Sequence, residues 1–403
     1  MLFRELLKGE LHNQRADFQR FAQTQAGDLT DYLAKLQKLC HTSSAEIWEK
    51  LRDINDAGAL PSAELDDAKS FSFSFAEKWQ NHEEARRWAA LILQNRTTFA
   101  ADGSQLYAEK ETSLPVAAIQ IGWFENPHDE HQSYEKNAKF TVLSPEKLLS
   151  QDEPVIPETK VGQLRFEAEV EKVEEFLQKK SGWQARGERM PIAFYDGTLL
   201  LSTPHPQTSL QVSFTNKLVE LVRFSITARV PLVGYVDRSY ARDLLSLLDN
   251  FETSALSNVR TLYDATILHA ETANFPQVLN FWGDRTCFCY SKRRGLSAFI
   301  DTETDKSIVG FAYLQTTSDS APARLDIPSW VYEDGLLNEV LDVVRAECVI
   351  GLGYPYALET ADATAVITMR DREVFLAALQ DFANREKLNF SVSRKSASKG
   401  RRR

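Results

Sequence analysis

The feature that most constrains the fold is an apolar run that ends in Asp-Gly and a hydroxyl residue, and this feature occurs twice. The first copy is FAADGS at residues 99–104, and the second is IAFYDGT at residues 192–198. A single Asp-Gly would indicate only a turn. Two copies that each follow an apolar run predict two buried strands, with Asp102 and Asp196 exposed at their ends. Side by side, such strands would bring two carboxylates within reach of one pair of metal ions.

The segment between these two runs predicts an amphipathic helix with an acidic surface. Residues 163–180 read QLRFEAEVEKVEEFLQKK, with apolar residues at helical spacing and glutamates and lysines elsewhere. Most of these glutamates are expected to face solvent. Glu169 lies near the apolar stripe, four residues after Arg165, and a carboxylate that reaches inward from this helix would supply a third metal ligand.

The order of the predicted elements indicates an α/β fold, with a mixed sheet flanked by helices and an N-terminal helical appendage. Residues 1–95 are predicted to be helical, and from residue 96 strands appear and then alternate with helices. The predicted domains are 1–95, 96–385 and a basic, disordered tail at 386–403. Two finer predictions are a polar loop at 126–136 and a buried strand over 191–202.

Composition limits the classes of function. The chain has 403 residues and a net charge of −10, which does not indicate general binding to nucleic acid. Contacts with phosphates would have to come from local basic patches, and the cluster Lys292, Arg293 and Arg294 is the candidate. There is no glycine-rich phosphate loop of the GxxxxGK type, so the chain is not expected to hydrolyse ATP itself.

The cysteines and the hydropathy predict a cytoplasmic protein without a membrane span. Four scattered cysteines do not form a disulfide framework, and Cys287 and Cys289 are expected to be buried thiols on one face of a strand. No apolar run is long enough for a transmembrane helix, and the amino terminus does not read as a signal peptide.

Two further segments contain residues that could bind metal. GLGYPYALETAD at 351–362 predicts a tight turn and then a helix with Glu359 and Asp362 on one face. In the loop NPHDEHQ, the spacing of His128 and His131 could fit a metal, but a solvated loop is the favoured interpretation.

Taken together, these segments resemble the NurA nuclease family. Six short motifs occur in the family's order, namely ADGS, an Arg-x-x-x-Glu helix, FYDGTL, GDRTCFCYSKR, RLDIPSWV and GYPYALETAD. The resemblance covers about residues 96 to 385. It implies an RNase H-like core and a two-metal site that prefers Mn²⁺, or Mg²⁺. It also implies a homodimer, a HerA-type hexameric ATPase as partner, and a role in processing DNA ends for repair.

Carried over by position, the resemblance makes Asp102 and Asp196 metal-binding aspartates. Glu169 is the best match for the helix glutamate, although its distance from Asp196 along the chain leaves Glu171 and Glu175 as alternatives. Asp362 stands where family members often have histidine, and it is expected to assist at the second metal. Aspartate binds a hard cation but is a poorer proton donor at neutral pH.

Three functions follow from these observations. The first is a metal-dependent DNA nuclease, acting as a 5′–3′ exonuclease and single-strand endonuclease. The second is a non-catalytic adaptor that docks onto an ATPase ring, which the aspartate at 362 and the acidic net charge motivate. The third is an RNase H-like enzyme that acts on RNA or hybrids and shares the metal site.

Overall fold

The computed structural model describes residues 3–68, 70–107, 113–149, 158–202, 208–252, 262–389 and 391. The prolines at 154 and 157 and the basic tail from 394 to 403 lie outside these residues. Within them, no helix is both long and apolar enough to cross a membrane.

In chain order, the helices are α1 (Arg4–Asn13), α2 (Arg15–Leu39), α3 (Ser44–Leu51), α4 (Glu64–Asp67), α5 (His82–Leu93), α6 (Pro145–Leu148), α7 (Glu158–Lys180), α8 (Ser209–Ala228), α9 (Asp243–Phe251), α10 (Asp264–His269), α11 (Ser329–Glu333), α12 (Leu337–Ile350), α13 (Tyr356–Ala365) and α14 (Met369–Arg385).

The strands are β1 (Gly58–Pro61), β2 (Ser72–Phe73), β3 (Thr98–Leu106), β4 (Ala117–Asn126), β5 (Glu135–Leu143), β6 (Ile192–Asp196), β7 (Leu232–Val236), β8 (Arg285–Thr286), β9 (Cys289–Lys292), β10 (Val309–Leu314) and β11 (Ala323–Pro328). The chain folds into two compact units. The first comprises residues 1–78 and 236–329, and the second comprises residues 79–235 and 330–403.

The second unit contains a mixed sheet in the order β5-β4-β3-β6-β7. Strands β3, β4 and β5 pair antiparallel, whereas β6 pairs parallel with both β3 and β7. An antiparallel meander continued by parallel strands is the arrangement expected of an RNase H-like core. The predicted mixed α/β sheet flanked by helices is therefore confirmed, together with the N-terminal helices.

Helices α7 and α13 pack on opposite faces of this sheet, and two adjacent residues of β3 show it. A Cβ at Gly103 would lie 2.9 Å from the Arg165 side chain of α7, whereas the Ser104 hydroxyl donates to the carbonyl of Ala365 at the end of α13. Side chains of consecutive strand residues leave on opposite faces. The side chain of Asp102 therefore leaves on the same face as that of Ser104, towards α13.

The predicted helix at 163–180 is confirmed, and it begins earlier, at Glu158. Its apolar stripe is buried against the sheet, with the Phe176 ring stacked on the Phe99 ring of β3 at a centroid distance of 4.5 Å. Buried aromatic and aliphatic side chains of this kind contribute roughly 1.5–3 kcal/mol each. This packing fixes the position of α7, and with it the direction in which its carboxylates point.

The first unit contains the antiparallel order β1-β9-β10-β11, and β8 pairs with β2 and β10. The prediction that all of residues 1–95 are helical is wrong at β1 and β2. All four residues of β1 are buried, so it lacks the alternation that reveals a strand in sequence. The predicted thiols Cys287 and Cys289 are free and buried.

Two boundaries in the second unit also differ from the sequence prediction. The predicted loop at 126–136 ends earlier, because β5 begins at Glu135 and pairs with β4. The predicted strand over 191–202 ends at Asp196, because Gly197 takes a φ of 127°, which a residue with a side chain rarely adopts. The early end of this strand makes Asp196 its last residue, between the neighbouring strands β3 and β7.

Candidate active site

The two Asp-Gly segments lie on neighbouring parallel strands of the second unit. Ala101 of β3 is in register with Tyr195 of β6, so the next residues on the two strands, Asp102 and Asp196, are adjacent. Residues in register on parallel strands point to the same face. Asp102 is half-buried and Asp196, the last residue of β6, is exposed. The two predicted carboxylates are therefore adjacent in the structure. The prediction that Asp102 lies exposed at a strand end is wrong, because β3 keeps pairing with β4 as far as Leu106, and only Asp196 ends its strand.

Helix α13 brings further carboxylates to the same face of the sheet. An open cavity of about 440 Å³ is lined by Asp196, Glu359 and Asp362, together with Gly351 and Tyr354. Asp362 and Glu359 are exposed on one side of α13, as their spacing predicts. The helix lies close to the sheet because Gly122 of β4 has no side chain, and a Cβ there would lie 2.5 Å from the amide nitrogen of Ala365.

A tyrosine that the sequence analysis did not single out, Tyr354, contacts the carboxylate of Asp196. The hydroxyl of Tyr354 donates a hydrogen bond to Asp196 Oδ1 over 3.1 Å. Its ring packs edge-on against Tyr235, with centroids 5.0 Å apart. The motif GYPY contains this residue, but nothing local in the sequence shows that a tyrosine 158 positions after Asp196 contacts it.

Glu169 approaches the site from the opposite face, beside Gly103. Its side chain is 4% exposed, and a Cβ at Gly103 would lie 3.2 Å from its Oε2 atom. Arg165 Nη1 donates to Glu169 Oε2 over 2.8 Å and to the Gly103 carbonyl over 2.9 Å. Gly103 is one residue beyond the point where β6 ends, so the carboxylate of Glu169 lies next to the open end of the strand that carries Asp196.

The alternatives to Glu169 on this helix lie elsewhere. Glu171 and Glu175 are exposed, and Glu175 forms an ion pair with Lys172. Glu174 pairs with Lys217 of α8. Of the helix glutamates that the sequence left open, Glu169 is therefore the one that the fold places beside β3.

Burial and mutual repulsion raise the pKa of two carboxyl groups of the site, Asp102 and Glu169. Burial, with repulsion from Asp196 and Asp362, raises the pKa of Asp102 to about 6. Burial, with repulsion from Asp102 and Asp196, raises the pKa of Glu169 to about 8, even though Arg165 opposes the shift. The Tyr195 hydroxyl is buried beside the same carboxylates, and its pKa is raised too. The four acids thus interact as one cluster, and a positive charge would relieve their repulsion.

The donor types of this cluster suit a hard divalent cation, because carboxylate oxygens are the ligands that Mg²⁺ and Mn²⁺ prefer. The fit is incomplete in one respect. Among the described residues, no group of three or more His, Cys, Asp or Glu side chains is close enough together to hold a metal ion. The adjacent pair Asp102 and Asp196 could bind one cation. A third ligand from Glu169 or Asp362 would require that side chain to turn towards the pair.

The predicted DNA-binding cluster lies in the first unit, on and after β9. Lys292 Nζ donates to the carbonyl of Arg52 over 2.6 Å, and Arg293 Nε lies 3.2 Å from the carboxylate of the buried Asp243. The backbone amide of Arg294 donates to Asp56. These residues therefore make internal contacts, through side chains for Lys292 and Arg293 and through the backbone for Arg294. Their role towards DNA stays a prediction.

The interpretation of the His128 loop as solvated is wrong for His128 itself. Its ring is partly buried, and Nδ1 donates to the carbonyl of Arg96 over 2.7 Å. Burial lowers its pKa. His128 has a φ of +48°, so the backbone of this loop turns to bring the ring inward, whereas His131 is exposed.

A search of curated proteins found no match. Two similar solved structures are "Crystal structure of NurA", at 9% identity over 72% of this chain and 89% of that chain with a TM-score of 0.39, and the same protein type "bound to dAMP and manganese", at 10% identity, 72% and 88% coverage and a TM-score of 0.33. A third is the catalytic domain of human Endonuclease V, at 12% identity, 74% and 96% coverage and a TM-score of 0.31.

The family model of the NurA domain matches residues 96–367. The match covers more than half of the chain, and it begins where the predicted core begins. It includes both Asp-Gly segments, helix α7 and helix α13, which together carry the carboxylate cluster. On this match, the chain belongs to the NurA family of nucleases.

Proposed function

We propose that this protein is a metal-dependent DNA nuclease whose site is formed by Asp102, Asp196, Glu169 and Asp362. The observation that carries the proposal is the adjacency of Asp102 and Asp196 on neighbouring parallel strands. Their carboxylates are close enough to raise the pKa of Asp102, and Asp362 contributes to the same shift. Such a charge cluster at an open cavity is a common property of catalytic sites.

Each residue has a distinct part in this proposal. Asp102 and Asp196 would hold the first cation between two rigid strands, and Tyr354 would fix the carboxylate of Asp196 through its hydrogen bond. Glu169 would supply a ligand past the end of β6, and Asp362 would assist at a second ion. Bound Mn²⁺ or Mg²⁺ would make water a better nucleophile and offset the charge of the phosphate.

The finer properties come from the family resemblance and belong to the proposal. They are 5′–3′ exonuclease and single-strand endonuclease activity on DNA ends, two metal ions, and a homodimer that works in DNA repair with a HerA-type hexameric ATPase. The cytoplasm is the proposed location, because four free cysteines suit a reducing compartment. The domain boundaries at 95 and 385 likewise stay predictions.

The test is a nuclease assay on end-labelled linear single- and double-stranded DNA with Mn²⁺, Mg²⁺ or EDTA. We expect cleavage with Mn²⁺, no cleavage in EDTA, and loss of cleavage in Asp102→Ala and Asp196→Ala. Asp129→Ala, which changes an exposed aspartate of a loop in the same unit, is the control and should cleave normally. Unchanged Mn²⁺-dependent cleavage by Asp102→Ala would show that the site assignment is wrong.

One observation favours a second function, a non-catalytic adaptor that docks onto an ATPase ring. Asp362 replaces the histidine that family members often have, and it is exposed at the cavity. An adaptor would bind its partner without an Asp102-dependent heat of Mn²⁺ binding in calorimetry. If wild type binds no Mn²⁺ and Asp362→His gains both binding and cleavage, the adaptor function is supported for the natural chain.

A further inference from the structure

The first unit contains a second cavity that differs in charge from the carboxylate site. This basic pocket, of about 290 Å³, is formed by Trp48 and Arg52 at the end of α3, by Tyr290 of β9, and by parts of the segment 291–307. Its size is at the lower end of the range for small-molecule sites. All of its lining residues belong to one compact unit.

The charge of the basic pocket is one-sided. Five basic residues line it, namely Arg52, Lys292, Arg293, Arg294 and Lys306, against one lining acid, Asp305. The chain as a whole has more acids than bases, with a net charge of −10. A local excess of positive charge on an acidic protein is therefore not a result of composition, and it attracts anions to this point.

Two of these cations, Lys292 and Lys306, contact neutral groups inside the protein. The ammonium group of Lys292 donates to backbone carbonyls, which carry no formal charge. Arg293 instead lies beside the buried carboxylate of Asp243, which also pairs with Arg324, so the positive charge of the pocket comes chiefly from the other lining cations. Lys306 Nζ lies over aromatic rings rather than against a carboxylate, 5.2 Å from the Tyr290 centroid and 5.6 Å from the Trp48 centroid.

The aromatic part of the basic pocket is held in place. Trp48 and Tyr290 pack edge to face with centroids 5.6 Å apart, and Trp48 Nε1 donates to the carbonyl of Pro61 over 2.7 Å. Trp48 is only half-buried, so part of its indole ring borders the cavity. Aromatic rings beside cationic side chains are the combination with which proteins bind the bases and phosphates of single strands.

We propose that the basic pocket binds one nucleotide of a single-stranded nucleic acid. Arg52 and Lys306 pair with its phosphates, and the exposed part of the Trp48 ring contacts its base. The choice of DNA as the strand rests on the proposed nuclease function. The pocket itself contains none of the carboxylates of the candidate active site, so it binds substrate without taking part in cleavage.

The test measures binding of a fluorescently labelled single-stranded oligonucleotide to the full chain in EDTA, by anisotropy. The variant Arg52→Ser with Lys306→Met removes two charges and keeps an alkyl chain against the rings. We expect its Kd to rise by roughly tenfold or more, the size expected for losing charge-assisted hydrogen bonds. The slope of log Kd against log salt should shrink by about 0.7 for each phosphate that the variant no longer binds.

The control is Arg86→Ser with Arg370→Ser, which removes the same charge from exposed positions of the second unit. Its Kd should stay within about twofold of wild type. Equal weakening by both double variants would mean that only net charge matters. Unchanged binding by the pocket variant would show that the oligonucleotide does not bind in the basic pocket. If the pocket variant fails to fold, Arg52→Ser alone answers the question, because Arg52 is exposed.

A second measurement separates a strand from a free nucleotide. Calorimetry with dAMP and with inorganic phosphate is run on wild type and on the pocket variant. We expect the oligonucleotide to bind more tightly than dAMP, and both to depend on Arg52 and Lys306. If the pocket variant lost dAMP binding but bound the oligonucleotide as wild type does, the assignment to a strand would be wrong. The binding test and the nuclease test can fail separately. If Asp102→Ala, or a wild type without nuclease activity, still binds the oligonucleotide through Arg52 and Lys306, the pocket is supported even where the proposed nuclease function is not.

Discussion

Arg165 donates a hydrogen bond to Glu169 one helical turn later, over 2.8 Å, and this pair lies against the backbone of Gly103. The arginine faces a buried carboxylate that the charges of Asp102 and Asp196 also repel. Burial outweighs this pairing, because the pKa of Glu169 is still raised to about 8. Arg165 therefore positions Glu169 and keeps it closer to the ionised form that a metal ligand needs.

The first prediction follows from this pair. Arg165→Gln removes the cation while leaving a hydrogen-bond donor near Gly103, so the pKa of Glu169 should rise further. We expect Mn²⁺ affinity at neutral pH, measured by calorimetry, to fall by roughly tenfold, the effect typical of residues that orient a metal ligand. Arg165→Lys should restore part of the affinity, because it restores the charge.

Lys179→Gln is the control for that prediction. It breaks a more exposed ion pair, between Lys179 of the same helix and Glu125. Exposed pairs contribute about 0–1 kcal/mol, so Mn²⁺ affinity should be unchanged. If Arg165→Gln binds Mn²⁺ as tightly as Lys179→Gln does, Arg165 has only a structural role.

The second prediction concerns the pH dependence of stability. The pKa of Asp102 is raised to about 6, so the folded state favours its protonated form. Its contribution to stability is fully present below the unfolded pKa of about 4 and is lost as pH rises through about 6. Asp102→Asn imitates the protonated form, so it should unfold at a higher temperature than wild type at pH 8, by about 2–5 °C, and at a similar temperature near pH 4.5.

Thermal unfolding in EDTA at the two pH values measures this difference. Asp129→Asn is the opposite case, because hydrogen bonds from the His131 backbone and the Gln132 side chain lower the pKa of this exposed aspartate. It should give no stabilisation at pH 8. The raised pKa would be contradicted if the difference in melting temperature between Asp102→Asn and wild type were no larger at pH 8 than at pH 4.5.

The third prediction tests the tyrosine that the sequence did not reveal. Tyr354→Phe removes the donor to Asp196 Oδ1 and keeps the ring against Tyr235. We expect Mn²⁺-dependent cleavage to fall by about tenfold or more, since one hydrogen bond to a charged group is worth roughly 1.5 kcal/mol or more. The melting temperature should change little.

Tyr235→Phe provides the comparison within the same ring pair. Its hydroxyl donates to the carbonyl of Gly353 over 3.3 Å rather than to a carboxylate. Cleavage should therefore stay near the wild-type rate. If both variants lose activity equally, the ring pair matters as a structural unit and Tyr354 has no separate role at Asp196.

The parts of this site that could be predicted are those whose sequence pattern lies within a single helix or strand. The pairing of Asp102 with Asp196 could be predicted, because each copy of the apolar run and Asp-Gly is visible within seven residues. The stripe of α7 was equally readable from its period. Both are patterns that the backbone geometry of one element determines.

The contacts that could not be predicted join elements far apart in the chain. Tyr354 bonds a residue 158 positions earlier, and the basic pocket combines α3 with a segment more than 200 residues later. The side that Glu169 takes depends on packing between α7 and the sheet. Strand β1 was missed for a different reason, since burial on both faces removes the alternation that marks a strand.

The last prediction concerns the absence of a side chain at Gly103. A Cβ at this position would lie 2.9 Å from Arg165 Cγ, 3.0 Å from Ile121 Cδ1 and 3.2 Å from Glu169 Oε2. Gly103→Ala should therefore displace the Arg165 and Glu169 side chains, with a loss of about 1–3 kcal/mol in the free energy of unfolding, as overpacking typically costs. Mn²⁺ affinity should fall as well, because Glu169 is displaced from the open end of β6.

Gly162→Ala is the matched control, because Gly162 lies inside α7 and a Cβ there meets nothing within 4 Å. That substitution should stabilise the protein by about 0.5–1 kcal/mol, the difference between alanine and glycine within a helix, and leave Mn²⁺ affinity unchanged. Urea unfolding and calorimetry measure the two effects separately. Gly103→Ala with wild-type Mn²⁺ affinity, despite reduced stability, would show that the position of Glu169 beside Gly103 is not needed for metal binding.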